Sequence, residues 1–239
     1  MKTLYLNCFS GISGDMFLGA MLDLGVRHEA LSSGLDALGI EGLKIEVVPV
    51  VKKGIKATHV DVIAPDTAEE RHLAEILPII NDSDLPADVK RLSEAVFRRL
   101  GAAEAKVHGT TVNHVHFHEV GALDTIADVV GAAICLKEAG IEQVYASRVN
   151  VGSGKVRTSH GLLDVPAPAT AELLRSLPTY SSDVKAELTT PTGAAILSEI
   201  CKGTGPVPVM RAKKTGFGAG SRDLEIPNVL MAICGETDR

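Results

Sequence analysis

Between His114 and Asp128 the chain carries three histidines, a glutamate and two aspartates: His114-Val-His116-Phe-His118-Glu119, then Asp124 and Asp128. In an extended strand alternate side chains share a face. His114, His116 and His118 would then lie together, with Val115 and Phe117 packed behind them. On a helix, residues four apart are neighbours, so Asp124 and Asp128 would converge. Imidazole suits nickel, zinc, copper and iron, and carboxylates supply further ligands or a base. Alternating histidines are also what the solvated face of a half-buried strand would show. The density of ligating groups over so short a stretch favours a metal or proton-transfer site.

A second kind of chemistry is written in the small-residue loop Ser10-Gly11-Ile12-Ser13-Gly14-Asp15. It follows a strand-like run over 3–9 and precedes a helical pattern over 16–24. Strand, glycine loop and helix present bare N–H groups to an anion. The lysine and spacing of a P-loop are missing, and a plain turn capped by Ser13 or Asp15 weighs equally. Thr190-Pro191-Thr192-Gly193 is the clearest helix start, with Thr190 as N-cap and Pro191 at the first position. Its hydroxyls and N–H groups suit an anion, or capping alone. Arg222, in a glycine-rich stretch over 216–223 that reads as a flexible loop, suits a carboxylate or phosphate. His160 precedes a glycine and two prolines and reads as a loop residue, functional or simply packed.

The elements that must position these groups follow from periodicity. Strands are expected at 3–9, 114–118, 143–151, 206–215 and 228–235, with a hairpin over 43–52 and 55–64 and a returning strand over 156–159. Helices are expected at 16–24, 28–38, 72–80, 86–105, 122–139, 168–174 and 191–202. This predicts an α/β fold, a mixed sheet with flanking helices, with α+β as the alternative. The 239 residues are read as one unit, with weak boundaries at 64–72 and 140–142. Hydrophobic residues make up 45% and aromatics 3%, with no Trp, so aliphatic side chains must build the core. A net charge of -6 and the absence of a basic run argue against nucleic acid as partner. Cys8, Cys135, Cys201 and Cys234 form no C-x-x-C pair and read as small core residues. No signal peptide or membrane-length apolar run is seen, so a cytoplasmic protein is expected. The abrupt, charged end suggests a longer parent chain.

Together these stretches resemble the nickel insertion proteins of lactate racemase maturation. The resemblance rests on C-F-S-G-I-S-G-D-M at 8–16, E-A-K-V-H-G at 104–109, V-H-F-H-E-V-G-A at 115–122 and D-T-I-A-D at 124–128. It continues through G-S-G at 152–154, H-G-L-L-D-V-P-A-P-A-T at 160–170, T-P-T-G-A-A at 190–195 and G-F-G-A-G-S-R-D at 216–223. It covers nearly the whole chain in the family's order. It implies a chelatase that inserts Ni²⁺ into a pyridinium-3,5-bisthiocarboxylic acid mononucleotide. CTP would be cleaved with Mn²⁺ or Mg²⁺ at a site in a C-terminal part that this chain lacks. Implied partners are the pincer nucleotide precursor, that C-terminal part, apo lactate racemase or the pathway's sulfur-transfer enzyme, with a homo-oligomer expected. Two departures stand out. The stretch before Arg71 lacks the histidine-rich tract of many relatives, and Asn7 stands where the family pattern has Asp.

On this reading His114, His116, His118 and His160 carry nickel transiently. Glu119, Asp124, Asp128 and Asp15 serve as further ligands, orienting groups or base. The nucleotide's phosphate meets Ser10, Gly11, Ser13 and Gly14, or Thr190, Thr192 and Gly193, with Lys155 or Arg222 assisting. The rivals are a metal-dependent phosphoester hydrolase or nucleotidyltransferase, and a non-enzymatic nickel-buffering half.

Overall fold

The computed structural model describes residues 1–64, 71–117 and 122–238; of His116 only the backbone is described. The chain opens with strand β1 (Lys2–Asn7), then helices α1 (Gly14–Asp23) and α2 (His28–Asp36). The hairpin β2 (Lys44–Lys52) and β3 (Ile55–Ile63) follows, turning at Lys53-Gly54, where both residues have positive φ. Next come β4 (Arg71–His72), α3 (Leu73–Asn81), α4 (Ala87–His108), β5 (His116–Phe117) and α5 (Leu123–Glu138). Strands β6 (Gln143–Ala146), β7 (Val149–Asn150), β8 (Lys155–Thr158) and β9 (Gly161–Asp164) lead to α6 (Pro168–Leu173) and β10 (Thr179–Tyr180). The described chain closes with α7 (Pro191–Ile200), β11 (Cys201–Thr204), β12 (Arg211–Ala219) and β13 (Val229–Glu236).

Among the described residues, seven strands form a mixed sheet in the order β11-β6-β1-β13-β12-β3-β2. β1 runs parallel to β6 and antiparallel to β13, and β12 runs parallel to β3. This is the α/β mixed-sheet class expected from the pattern. α1 lies on β3 and β12, α5 packs on α1, and α4 packs on α5, α6 and α7. One large cluster of buried side chains runs through these elements, dominated by aliphatic residues and including Phe17, Phe97 and Phe117. No helix among the described residues is long and apolar enough to cross a membrane.

Several expectations need correction. Among the described residues the strand expected over 114–118 covers His116–Phe117, with His114 in the preceding turn; His118 lies outside them. The run 143–151 breaks at Ser147-Arg148, where the Ser147 hydroxyl replaces the ladder, accepting the Cys8 N–H at 2.9 Å and donating to the Arg148 carbonyl at 2.8 Å. Residues 155–158 pair with 161–164 rather than with the preceding strand. The helix over 86–105 continues to His108, and that over 191–202 stops at Ile200, where β11 begins. The largest difference is at 216–219, which reads as loop and is strand. A Cβ on Gly218 would stand 1.8 Å from the Met16 carbonyl oxygen. Glycine is there because α1 presses backbone to backbone on β12, not because the chain must bend.

Candidate carboxylate crevice and histidine pocket

The loop between β1 and α1 is stitched to the entrance of α7. The Ile12 N–H donates to the Leu188 carbonyl and the Thr190 N–H to the Ile12 carbonyl, each at 3.1 Å. A buried side chain from β7 holds both sides. Asn150, 2% exposed, donates from Nδ2 to the Phe9 carbonyl at 2.8 Å and accepts the Gly152 N–H at 3.0 Å. The Thr189 hydroxyl donates to the Asn150 carbonyl at 2.8 Å. Asn150 is not among the residues whose pattern pointed to a site. Its one signal was an amide between two valines in a buried strand, which must find partners.

This scaffold places carboxylates at the start of α1. Gly14 lets α1 meet α5 so closely that a Cβ there would stand 2.2 Å from Asp128 Oδ2. Asp128 is half-buried, and its Oδ1 is sealed from water with no hydrogen-bond partner among the described residues. Burial pushes its carboxyl well above the usual range, and the charges of Asp15 and Asp124 push it further. Burial also raises Asp15, against the Ser13 hydroxyl, the Met16 N–H and the charge of His59, which favour its ionised form. Asp124, one turn before Asp128, is exposed and accepts the Thr125 N–H at 2.7 Å. The Ser10 hydroxyl, fully buried in the same loop, likewise has no partner among the described residues.

These acids change the reading of the loop as an anion cradle. The α1 N-terminus is occupied by Asp15's own carboxylate, so a phosphate there needs a cation between. A cleft of about 130 Å³ opens beside it, lined by Ser13, Asp15, Glu187, Thr190, Arg222 and Asn228. The Arg222 guanidinium reaches the Glu187 carbonyl at 3.5 Å, and Asn228 Nδ2 holds the Arg222 carbonyl at 3.0 Å. Thr190 Oγ1 caps α7 by accepting the Gly193 N–H at 3.2 Å; Thr192 and Gly193 are buried in its first turn. Gly11 packs against the Leu188 carbonyl. Lys155 is elsewhere engaged, 3.0 Å from Asp164 on the exposed β8–β9 hairpin. Asn7 closes β1, paired with Met231 of β13.

Of the expected row of histidines, only His114 has a described side chain. His114 Nδ1 shares a hydrogen bond with the Thr111 hydroxyl at 2.7 Å. His118 and Glu119 lie outside the described residues. Val115 and Phe117 are buried, as the alternation required. His160, at the tip of the β8–β9 hairpin, meets His108 from the last turn of α4, their ring centroids 4.8 Å apart. His59 of β3, also unanticipated, bonds through Nδ1 to the Ala219 carbonyl at 2.9 Å. A carbonyl only accepts, so Nδ1 carries the proton and a neutral ring keeps Nε2 as its acceptor. Among the described residues no group of three or more His, Cys, Asp or Glu side chains is set to hold a metal ion.

Comparison with known proteins places this arrangement. The nickel insertion protein family matches residues 4–239. A pyridinium-3,5-bisthiocarboxylic acid mononucleotide nickel insertion protein of Desulfitobacterium hafniense is 50% identical over 99% of this chain and 59% of its own length. Proteins of the same name from Geobacillus kaustophilus and Staphylococcus epidermidis are 44% and 43% identical. They match 100% and 99% of this chain, and 61% and 60% of their own lengths. The chain thus spans about three-fifths of the curated relatives it matches. No solved structure matches. The segments that meet at the crevice fall within that family match, and the chain belongs to the nickel insertion protein family.

Proposed function

We propose that this chain is the metal-handling part of a protein that inserts Ni²⁺ into pyridinium-3,5-bisthiocarboxylic acid mononucleotide. The observation that carries the reading is Asp128: a sealed carboxyl oxygen with no partner among the described residues, pressed on Gly14, with Asp15 and Asp124 beside it. Such a group holds a proton or accepts a cation. A dication arriving there displaces the proton and satisfies the orphaned oxygen. Hard carboxylate donors suit Mn²⁺ or Mg²⁺; Asp15, Asp124 and Asp128 would hold such an ion, which would supply positive charge for the nucleotide's phosphate, and Thr190 and Arg222 line the same cleft. Nickel is cargo. It rests on imidazoles, for which His114, His116, His118 and His160 remain the sequence's candidates. It then leaves for the softer thiocarboxylate sulfurs, and a donor set meant to release metal is best left open.

CTP would be bound and cleaved to CMP and pyrophosphate by the part of the protein that lies beyond residue 239 in longer relatives, and the product would be the cofactor of a lactate racemase. The test is an insertion assay with Ni²⁺, CTP, Mn²⁺ and the metal-free nucleotide, read by activation of apo lactate racemase. This chain alone is expected to be inactive, and active when the C-terminal part of a relative is added in trans. Inactivity after that addition, where a full-length relative works, would reject the reading. It would favour phosphoester hydrolysis if simple phosphoesters are cleaved, and nickel buffering if they are not.

A further inference from the structure

His108 and His160 come from separate elements and meet over a cavity. His108 ends α4, and the αL turn at Gly109 stops the helix there. His160 is set at the hairpin tip by its N–H, which donates to the Thr158 hydroxyl at 3.1 Å. The rings tilt at 50° with centroids 4.8 Å apart. One turn back on α4, Glu104 Oε2 stands 3.5 Å from His108 Nε2, its side chain only 16% exposed. A carboxylate on one ring nitrogen is how proteins fix an imidazole that ligates metal through the other. Beneath the pair lies a cavity of about 170 Å³ walled by Val107, Leu163, Ala167, Pro168, Ala169 and Pro191. Two imidazoles this close together invite a dication of the imidazole-binding class.

The location adds to this. Pro191 lines the histidine cavity, and Thr190, its chain neighbour, lines the carboxylate cleft. The two hollows share the first turn of α7. We infer that His108 and His160 form a two-imidazole holding site for Ni²⁺, with Glu104 as its positioning residue, separated by the α7 entrance from the cleft that takes the nucleotide. Two protein ligands leave most of nickel's coordination positions for the incoming sulfurs, and the apolar wall offers a flat surface for an aromatic ring. The inference rests on the nickel-handling reading above. It assigns the nickel to a pair the residue pattern had not joined.

The experiment titrates the chain with NiCl₂ alone, without nucleotide or CTP, following heat release and the imidazole resonances of ¹⁵N-histidine-labelled protein. The His108 and His160 signals are expected to broaden first. His108→Ala and His160→Ala should each weaken binding about ten-fold or more, and Glu104→Gln less, while shifting the His108 ring nitrogens that report its tautomer. His28→Ala, at the exposed start of α2, should leave the affinity unchanged. Nickel affinity unchanged in the His108→Ala/His160→Ala double variant, or first broadening at other histidines, would overturn the assignment. Because no insertion substrate is present, that failure leaves the insertion reading standing. Conversely, nickel held at this pair in a chain that never supports insertion would sink that reading and not this one.

Discussion

A carboxyl group sealed from water, as at Asp128, whose Oδ1 has no partner among the described residues, holds its proton more tightly in the folded chain than in the unfolded one. The folded state then binds more protons than the unfolded state as pH rises from the ordinary carboxylate range toward the raised value. Stability is therefore fullest in acid and falls with rising pH over that window. Asp15, also raised by burial, adds a slope of the same sign. Asp128→Asn is neutral at every pH. It should flatten most of that decline and stabilise the chain at pH 8 by about 1–3 kcal/mol, or roughly 2–4 °C in melting temperature per kcal/mol, while abolishing insertion. Thermal unfolding at pH 5 and pH 8 checks this; a variant less stable than wild type at pH 8 would contradict it. The pairing of Asp124 with Asp128 was legible in the sequence because helical spacing four is a local rule. So was Asp15, at a helix start. His108 and His59 were not, since each acquires its neighbour across the fold: His160 lies beyond β5, α5, β6, β7 and β8, and His59 meets Ala219 only through the β3–β12 pairing.

Elements carried much of their own signal. The β2–β3 hairpin, α5 and the capped start of α7 are set by local turn and cap chemistry, and each falls where the pattern put it. Glycine misled at β12 because the residue marks two opposite situations, a chain that bends and a strand that another backbone touches. Composition alone does not separate them. A substitution does. At an open strand position alanine gains entropy over glycine and stabilises by about 0.4–1 kcal/mol. At Gly218 the added methyl meets the Met16 carbonyl of α1. Gly218→Ala should therefore destabilise by about 1–3 kcal/mol in urea unfolding and displace the helix that carries Asp15. A gain in stability would show that α1 does not press on β12 as described. The break at Ser147-Arg148 was unreadable for a related reason: the Ser147 hydroxyl that interrupts the strand accepts the N–H of Cys8, far back in sequence.

For the whole molecule, periodicity sufficed for the class, a mixed sheet with helices, and not for the order β11-β6-β1-β13-β12-β3-β2, which joins strands from both ends of the chain. That order puts β1 beside β6 and brings its following loop to the α7 entrance, where the Thr190–Pro191 turn serves both hollows. Sharing a turn has a thermodynamic consequence. If nucleotide in the cleft shifts the first turn of α7, it alters nickel affinity at the histidine pair by some factor. Nickel must then alter nucleotide affinity by the same factor, because the two routes around the cycle end in one ternary complex. Titrating each ligand in the presence and absence of the other should return one coupling factor, on the order of 5–150-fold for typical protein couplings. Loss of that coupling on Pro191→Gly, with each separate affinity retained, would show that a single turn of helix tells the metal when its acceptor has arrived.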